Sequence, residues 1–89
     1  MKYKVKSWPS FFKAIVSGEK LHDMRDMRDR DYKVGDVLTL QEFDPFGGGY
    51  SGSEYDVEIT YITSVNTPCA MSSVALSNTH CILSIKGVE

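Results

Sequence analysis

The feature that most constrains the fold is a regular alternation of apolar and polar residues between positions 54 and 64. Residues 55, 57, 59 and 61 are Tyr, Val, Ile and Tyr, whereas residues 54, 56, 58 and 60 are Glu, Asp, Glu and Thr. A period of two is typical of a strand with one buried face. A second apolar run at 36–43 precedes it, and the glycine-rich segment 44–53 predicts a long loop between them. The chain must therefore be built around a sheet.

A single short helix is predicted near the N-terminus. The alternation of Tyr3 and Val5 with lysines predicts a first strand, and Ser7 is placed to cap the helix that follows. Pro9 is compatible with a first helical turn, and Gly18 is placed to end the helix. Five residues recur at helical spacing and predict one apolar stripe: Trp8, Phe11, Phe12, Ile15 and Val16.

The order of elements predicts an α+β fold. A short strand at 21–25, a charged connection at 26–33, a helical turn at 71–76 and a last strand at 80–85 complete the chain. One main helix and four or five strands leave no parallel β-α-β series. We therefore expect one domain, residues 1–89, folded as a small mixed β-barrel of about five strands with one N-terminal helix and a short second helix.

The charge is distributed unevenly along the chain. The net charge is −2, but residues 1–33 hold nine of the ten basic residues and five acids, whereas residues 34–89 hold one base and seven acids. Such asymmetry indicates an anionic partner for the basic segment, unless the fold interleaves the two segments in space. No run is long enough for a membrane span and no signal peptide is apparent. We therefore expect a cytoplasmic protein whose two cysteines are buried thiols.

The segment 18–25 follows the pattern G-x-K-x-x-D-x-R. On a strand, Asp23 and Arg25 share a face, and Lys20 lies at the junction of helix and strand. Two interpretations remain open. The three side chains either form an ordinary surface ion pair, or they form an anion site in which Asp23 orients the two cations.

This pattern after a short helix, followed by a Val-Gly-Asp turn and a strand, resembles the ASCH family of the PUA-like β-barrel superfamily. The resemblance is strongest to a group of short bacterial and phage-encoded ASCH-like proteins. It extends over most of the chain, in order, through residues 8–20, 29–36, 40–45, 50–52, 59–62 and 81–85. It implies a PUA-like barrel with a cleft between the barrel and the helix.

The resemblance also implies that this cleft binds RNA or another nucleic acid. Lys20 and Arg25 would meet phosphates or base edges, with Asp23 as their acidic partner. Arg28, Arg30 and Tyr32 would line the rim as phosphate-binding and stacking groups. The intervening acids offer an alternative, because they can neutralise the arginines within the loop; they are Asp26, Asp29 and Asp31.

One bacterial branch of the family is enzymatic, and this implies an alternative function. That branch resembles an amidohydrolase that removes an acyl group from the exocyclic amine of a modified cytidine. Lys20 matches its lysine, Asp23 replaces its threonine, and either Glu42 or Glu58 would supply its glutamate. An aspartate beside Lys20 favours the charged ammonium, which is the wrong state for a base or nucleophile.

A third function is a protein-interaction or inhibitor module. The acidic segment 34–89 and the aromatic residues near the loop would then bind a host or cellular protein; these are Phe46, Tyr50 and Tyr55. We expect no cofactor and no metal. The side chains of zinc-ligand type lack the paired spacing of a structural zinc site; they are His22, Cys69, His80 and Cys81.

Overall fold

One helix and five strands make up the part of the chain that the structure, a computed structural model, describes: residues 1–28, 30–70 and 76–88. The elements are β1 (Lys2–Ser7), α1 (Pro9–Val16), β2 (His22–Asp26), β3 (Val37–Asp44), β4 (Gly49–Thr63) and β5 (His80–Gly87). The predicted α+β class is confirmed. The predicted helical turn at 71–76 falls on a segment of which all but residue 76 lies outside the described residues.

The five strands form one mixed sheet in the order β1-β3-β4-β5-β2. β1 is parallel to β3, and the remaining neighbours are antiparallel. The register shifts between Gln41 and Phe43 on β3, and between Ile59 and Tyr61 on β4. Such irregularities bend a strand and increase its twist. The sheet curls into a half-barrel, and its two edge strands are joined where Arg25 of β2 donates to the Lys6 carbonyl of β1.

The concave face of the sheet carries the hydrophobic core. Leu38 and Leu40 of β3 and Val57 and Ile59 of β4 are fully buried. The core is completed by residues from β1, α1, β5 and the loop before β3: Val5, Phe12, Ile15, Tyr32, Cys81, Leu83 and Ile85. The alternation predicts Tyr61 at the edge of the core with only its hydroxyl at the surface. This prediction is wrong, because the shift after Ile59 turns Tyr61 outward and leaves it 56% exposed.

The helix packs on β3 through a narrower face than its sequence predicts. Only Phe12 and Ile15 are buried, whereas Trp8, Phe11 and Val16 are about half exposed. A single sheet layer contacts one side of the helix, so the flanks of the stripe face outward. Trp8, not Ser7, is the N-cap residue, because β1 continues through Ser7 and buries it. Within the described residues, no helix is long and apolar enough to span a membrane.

The connection between β3 and β4 is shorter than predicted. β3 extends to Asp44 and β4 begins at Gly49, so the expected loop 44–53 is reduced to a tight turn. Gly47 and Gly49 have φ angles of 126° and 63°, which only glycine adopts readily. The Asp44 carboxylate accepts the Phe46 backbone N–H at 2.8 Å and so closes the turn.

Candidate functional site

A cleft of about 360 Å³ opens between the N-terminal half of α1 and the two edge strands. The described residues that line it come from the end of β1, the first turns of α1 and the G-x-K-x-x-D-x-R segment: Lys6, Ser7, Trp8, Phe11, Lys20, Asp23, Met24 and Arg25. The three motif residues predicted to act together, Lys20, Asp23 and Arg25, therefore do line one cleft. The acidic stretch of β4 contributes none of these lining residues.

Arg25 is held in place by two contacts. Its Nε donates to Asp23 Oδ2 at 2.7 Å, and its Nη2 donates to the Lys6 carbonyl oxygen at 2.8 Å. Both side chains of the ion pair are largely buried. Because the two residues are i and i+2 on β2, their side chains leave the strand on the same face. The two bonds fix the guanidinium and leave part of its donor capacity unused.

Lys20 and Lys6 supply the unneutralised positive charge of the cleft. Lys20 Nζ lies 3.2 Å from His22 Nε2 and 5.8 Å from the Phe11 ring centroid. Lys6 Nζ lies 4.4 Å from the Phe43 ring centroid. Among the described residues, neither lysine forms an ion pair with a carboxylate. Since Asp23 pairs with Arg25, the cleft keeps an excess of two positive charges.

Sequence reasoning missed the aromatic side of the cleft. Trp8 and Phe11 were assigned to the buried stripe of the helix, but their side chains are 46% and 49% exposed. Their rings are stacked, with centroids 6.0 Å apart and planes inclined by 14°. Helical spacing alone does not reveal this exposure, because it depends on an eight-residue helix that packs on one sheet layer and so buries only a narrow stripe.

The structure places the predicted rim residues in different environments. Tyr32 is buried in the core with its ring edge-on to Tyr3, at 8% exposure, so it presents no free face for the predicted stacking on a base. Arg28 pairs with Asp26, and this contact lowers the pKa of the Asp26 carboxyl. Arg30 lies with its Nη2 3.4 Å from the Lys4 carbonyl and its guanidinium 5.6 Å from the Tyr3 ring.

The two glutamates of the enzymatic alternative do not line the Lys20 cleft. Glu42 lines a separate cavity of about 260 Å³ together with Lys13 and Asp44, and it accepts the Ser51 hydroxyl at 2.7 Å. Glu58 lies on β4 opposite Val37 and Lys86. Asp23 is the only carboxylate among the described residues that line the cleft, and Arg25 engages it.

The residues of zinc-ligand type are dispersed. In the described part of the chain, no group of three or more His, Cys, Asp or Glu side chains is placed to hold a metal ion. The prediction that both cysteines are buried is wrong for Cys69, which is exposed at the end of the segment that follows β4. Burial raises the pKa of the Cys81 thiol.

Comparison with known proteins identifies the family. Residues 2–85 match the family described as Domain of unknown function (DUF3850), and the chain belongs to this family. The fold is similar to that in the crystal structure of hypothetical protein PH0355, with a TM-score of 0.63 and 13% sequence identity. That match covers 99% of this chain and 100% of the other. No curated protein matches the chain.

Proposed function

We propose that this chain is an ASCH-type member of the PUA-like superfamily that binds RNA or a related nucleic acid in the cleft beside Lys20. The proposal is carried by one observation: Lys6 and Lys20, which form no ion pair with the described residues, line the same cleft as the exposed rings of Trp8 and Phe11. The lysines are suited to bind the phosphates of a nucleic acid, and the aromatic rings are suited to stack on its bases. The half-barrel fold and the order of the motifs support the superfamily assignment.

The cations have distinct tasks in this proposal. Lys20 and Lys6 are mobile point charges that neutralise phosphates. Arg25 is already fixed by Asp23 and the Lys6 carbonyl, so it presents its remaining N–H groups in one orientation. A fixed guanidinium suits an oxygen acceptor on a phosphate or a base edge. Asp23 acts as a positioning residue because it holds Arg25.

The amidohydrolase alternative has weaker support. A lysine nucleophile or base requires a means of losing its proton, such as burial or a cationic neighbour. Lys20 is only partly buried, and neither glutamate proposed for the enzymatic branch, Glu42 or Glu58, is among the described residues that line its cleft. The protein-interaction alternative has its own cavity in the acidic segment, lined by Glu42, Asp44 and Lys13. No aromatic side chain is among the described residues that line that cavity, so it supports protein binding less than the basic cleft supports nucleic-acid binding.

The test is an anisotropy titration of a short fluorescein-labelled single-stranded RNA at several KCl concentrations. We expect affinity to fall as salt rises, because bound phosphates release counterions. The Lys6→Ala/Lys20→Ala variant should bind more weakly, with a slope of log K against log salt that is less negative by about 0.7 for each lost phosphate contact.

The matched control is Lys86→Ala. Lys86 is an exposed lysine on β5 that lacks an ion-pair partner among the described residues and does not line the cleft. This variant should keep the wild-type affinity and salt slope. Equal losses in the two variants, or RNA binding that neither salt nor the lysine substitutions change, would refute the proposed site.

A further inference from the structure

Three exposed aromatic rings form a continuous surface along the cleft and across the β3–β4 turn. Trp8 lies at the centre, stacked on Phe11 on one side and edge-on to Phe46 on the other, with the Trp8 and Phe46 centroids 5.7 Å apart. Phe46 is 86% exposed, which is unusual for a large apolar side chain held in a defined turn. We call these three residues the aromatic surface.

The backbone holds this surface in place without a ligand. Trp8 precedes Pro9, and a residue before proline is restricted to extended conformations; Trp8 has φ −65° and ψ 149°. The Trp8 carbonyl also accepts the Phe12 N–H at 2.8 Å, which fixes it at the start of the helix. The Asp44 carboxylate fixes Phe46 through its backbone N–H. A backbone that is fixed before binding reduces the entropy lost when a ligand stacks on the rings it carries.

Positive charges flank the aromatic surface. Lys20 lies beside Phe11, and Lys6 lines the same cleft as Trp8. Aromatic side chains next to cations match a strand whose bases are unpaired, since the bases stack on the rings while the backbone phosphates meet the lysines. In a duplex, by contrast, the faces of the bases are already stacked on one another and are not available.

We propose that the aromatic surface stacks unpaired bases, so that the ligand is a single-stranded segment of nucleic acid and not a duplex. This inference rests on the proposed function and specifies its ligand. It places the stacking role on Trp8, Phe11 and Phe46. Because every base has a flat face, such stacking tolerates many sequences.

The chain contains one tryptophan, so its emission reports on Trp8 alone. The experiment titrates the protein with an RNA made only of A and C, which does not pair with itself, and in parallel with the same RNA annealed to its complement. We expect the single strand to quench Trp8 emission along the same binding curve that anisotropy records. The duplex should bind more weakly and leave the emission nearly unchanged.

Substitutions separate stacking from charge. Trp8→Ala and Phe46→Ala should each weaken single-strand binding by roughly 5- to 150-fold, the range measured for loss of a base-stacking ring, and should change duplex binding little. The matched control is Tyr61→Ala, which removes a ring of 56% exposure, close to the 46% of Trp8, from β4 outside the cleft and should bind as the wild type. Circular dichroism melting checks that each variant is folded.

The outcomes distinguish the two proposals. If single strand and duplex bind equally, with unchanged Trp8 emission and no effect of the ring substitutions, the stacking inference is overturned while nucleic-acid binding stands. If neither RNA binds, the proposed function fails and the inference fails with it. If the single strand binds more tightly than the duplex but the Trp8→Ala and Phe46→Ala variants bind it as the wild type does, the aromatic surface does not stack its bases and the inference is overturned.

Discussion

At the residue scale, Arg25 has a structural task in addition to its place in the cleft. It pairs with Asp23 on its own strand and reaches across to the Lys6 carbonyl on the opposite edge of the sheet. The guanidinium thus supplies a donor to a carbonyl of an edge strand. The Arg25 side chain thus lines the cleft and also connects the two edges of the half-barrel.

Replacing Arg25 should therefore destabilise the fold. Arg25→Ala removes two charge-assisted hydrogen bonds and leaves the largely buried Asp23 carboxylate without its partner, so the free energy of unfolding should fall by about 2 kcal/mol. Arg25→Lys should recover little of the lost free energy of unfolding, because an ammonium lacks the planar fork that reaches both acceptors. Urea unfolding followed by circular dichroism measures both.

Lys33→Ala is the control for that prediction. Lys33 also pairs with an aspartate two residues away, Asp31, but both side chains are well exposed. Exposed pairs contribute little, so the urea midpoint should stay at the wild-type value. A loss for Lys33→Ala as large as that for Arg25→Ala would contradict the structural task assigned to Arg25.

At the element scale, the edge strand β1 is attached to the sheet by side chains as well as by its parallel pairing with β3. The Asp56 carboxylate of β4 accepts the Thr39 hydroxyl of β3 at 2.6 Å and the Lys2 ammonium of β1 at 3.1 Å. These contacts lower the pKa of Asp56, the Thr39 hydrogen bond contributing most. One carboxylate therefore connects three strands near the start of β1.

The lowered pKa predicts an acid-sensitive contact. A carboxyl whose pKa is lower in the folded state stabilises the fold fully above its ordinary value of 3.8, and this contribution is lost as pH falls through the folded-state pKa. Asp56→Asn should therefore lower the urea midpoint at neutral pH, and the gap to the wild type should close below about pH 4. A gap that stays constant from neutral to acid pH would contradict this assignment.

The elements also show what the sequence was able to predict. The alternation in β4 and the helical spacing near Phe12 and Ile15 report local periodicity, and both elements are present. The length of the β3–β4 turn and the outward position of Tyr61 depend on register shifts between strands. Such shifts are properties of a pair of strands, so no pattern within either strand reveals them.

At the scale of the whole molecule, the fold neutralises only part of the positive charge carried by residues 1–33. Several basic side chains of the N-terminal segment form ion pairs with acidic residues nearby in sequence, as Arg25 does with Asp23 and Lys33 does with Asp31. Others have no ion-pair partner among the described residues: Lys4, Lys6, Lys13, Lys20 and Arg30. Positive charge thus survives where β1 and α1 border the cleft, although the net charge is −2.

The candidate site was predictable in part for the same reason. Lys20, Asp23 and Arg25 are close in sequence, so a strand brings them to one place without help from the rest of the fold. Lys6 and the aromatic surface join them only because the sheet curls and the helix buries one narrow face. Those contacts join elements distant in the chain, and sequence spacing does not encode them.

RNA binding in the cleft beside Lys20 is tested most directly by an amide and indole chemical-shift titration of the ¹⁵N-labelled protein with a short single-stranded RNA. This binding site predicts that the shifts concentrate on the Trp8 indole and on the amides of Lys6, Phe11 and Lys20, with Lys86 unmoved. Shifts confined to the acidic stretch of β4 and to β5, or none when RNA is in large excess, would contradict it.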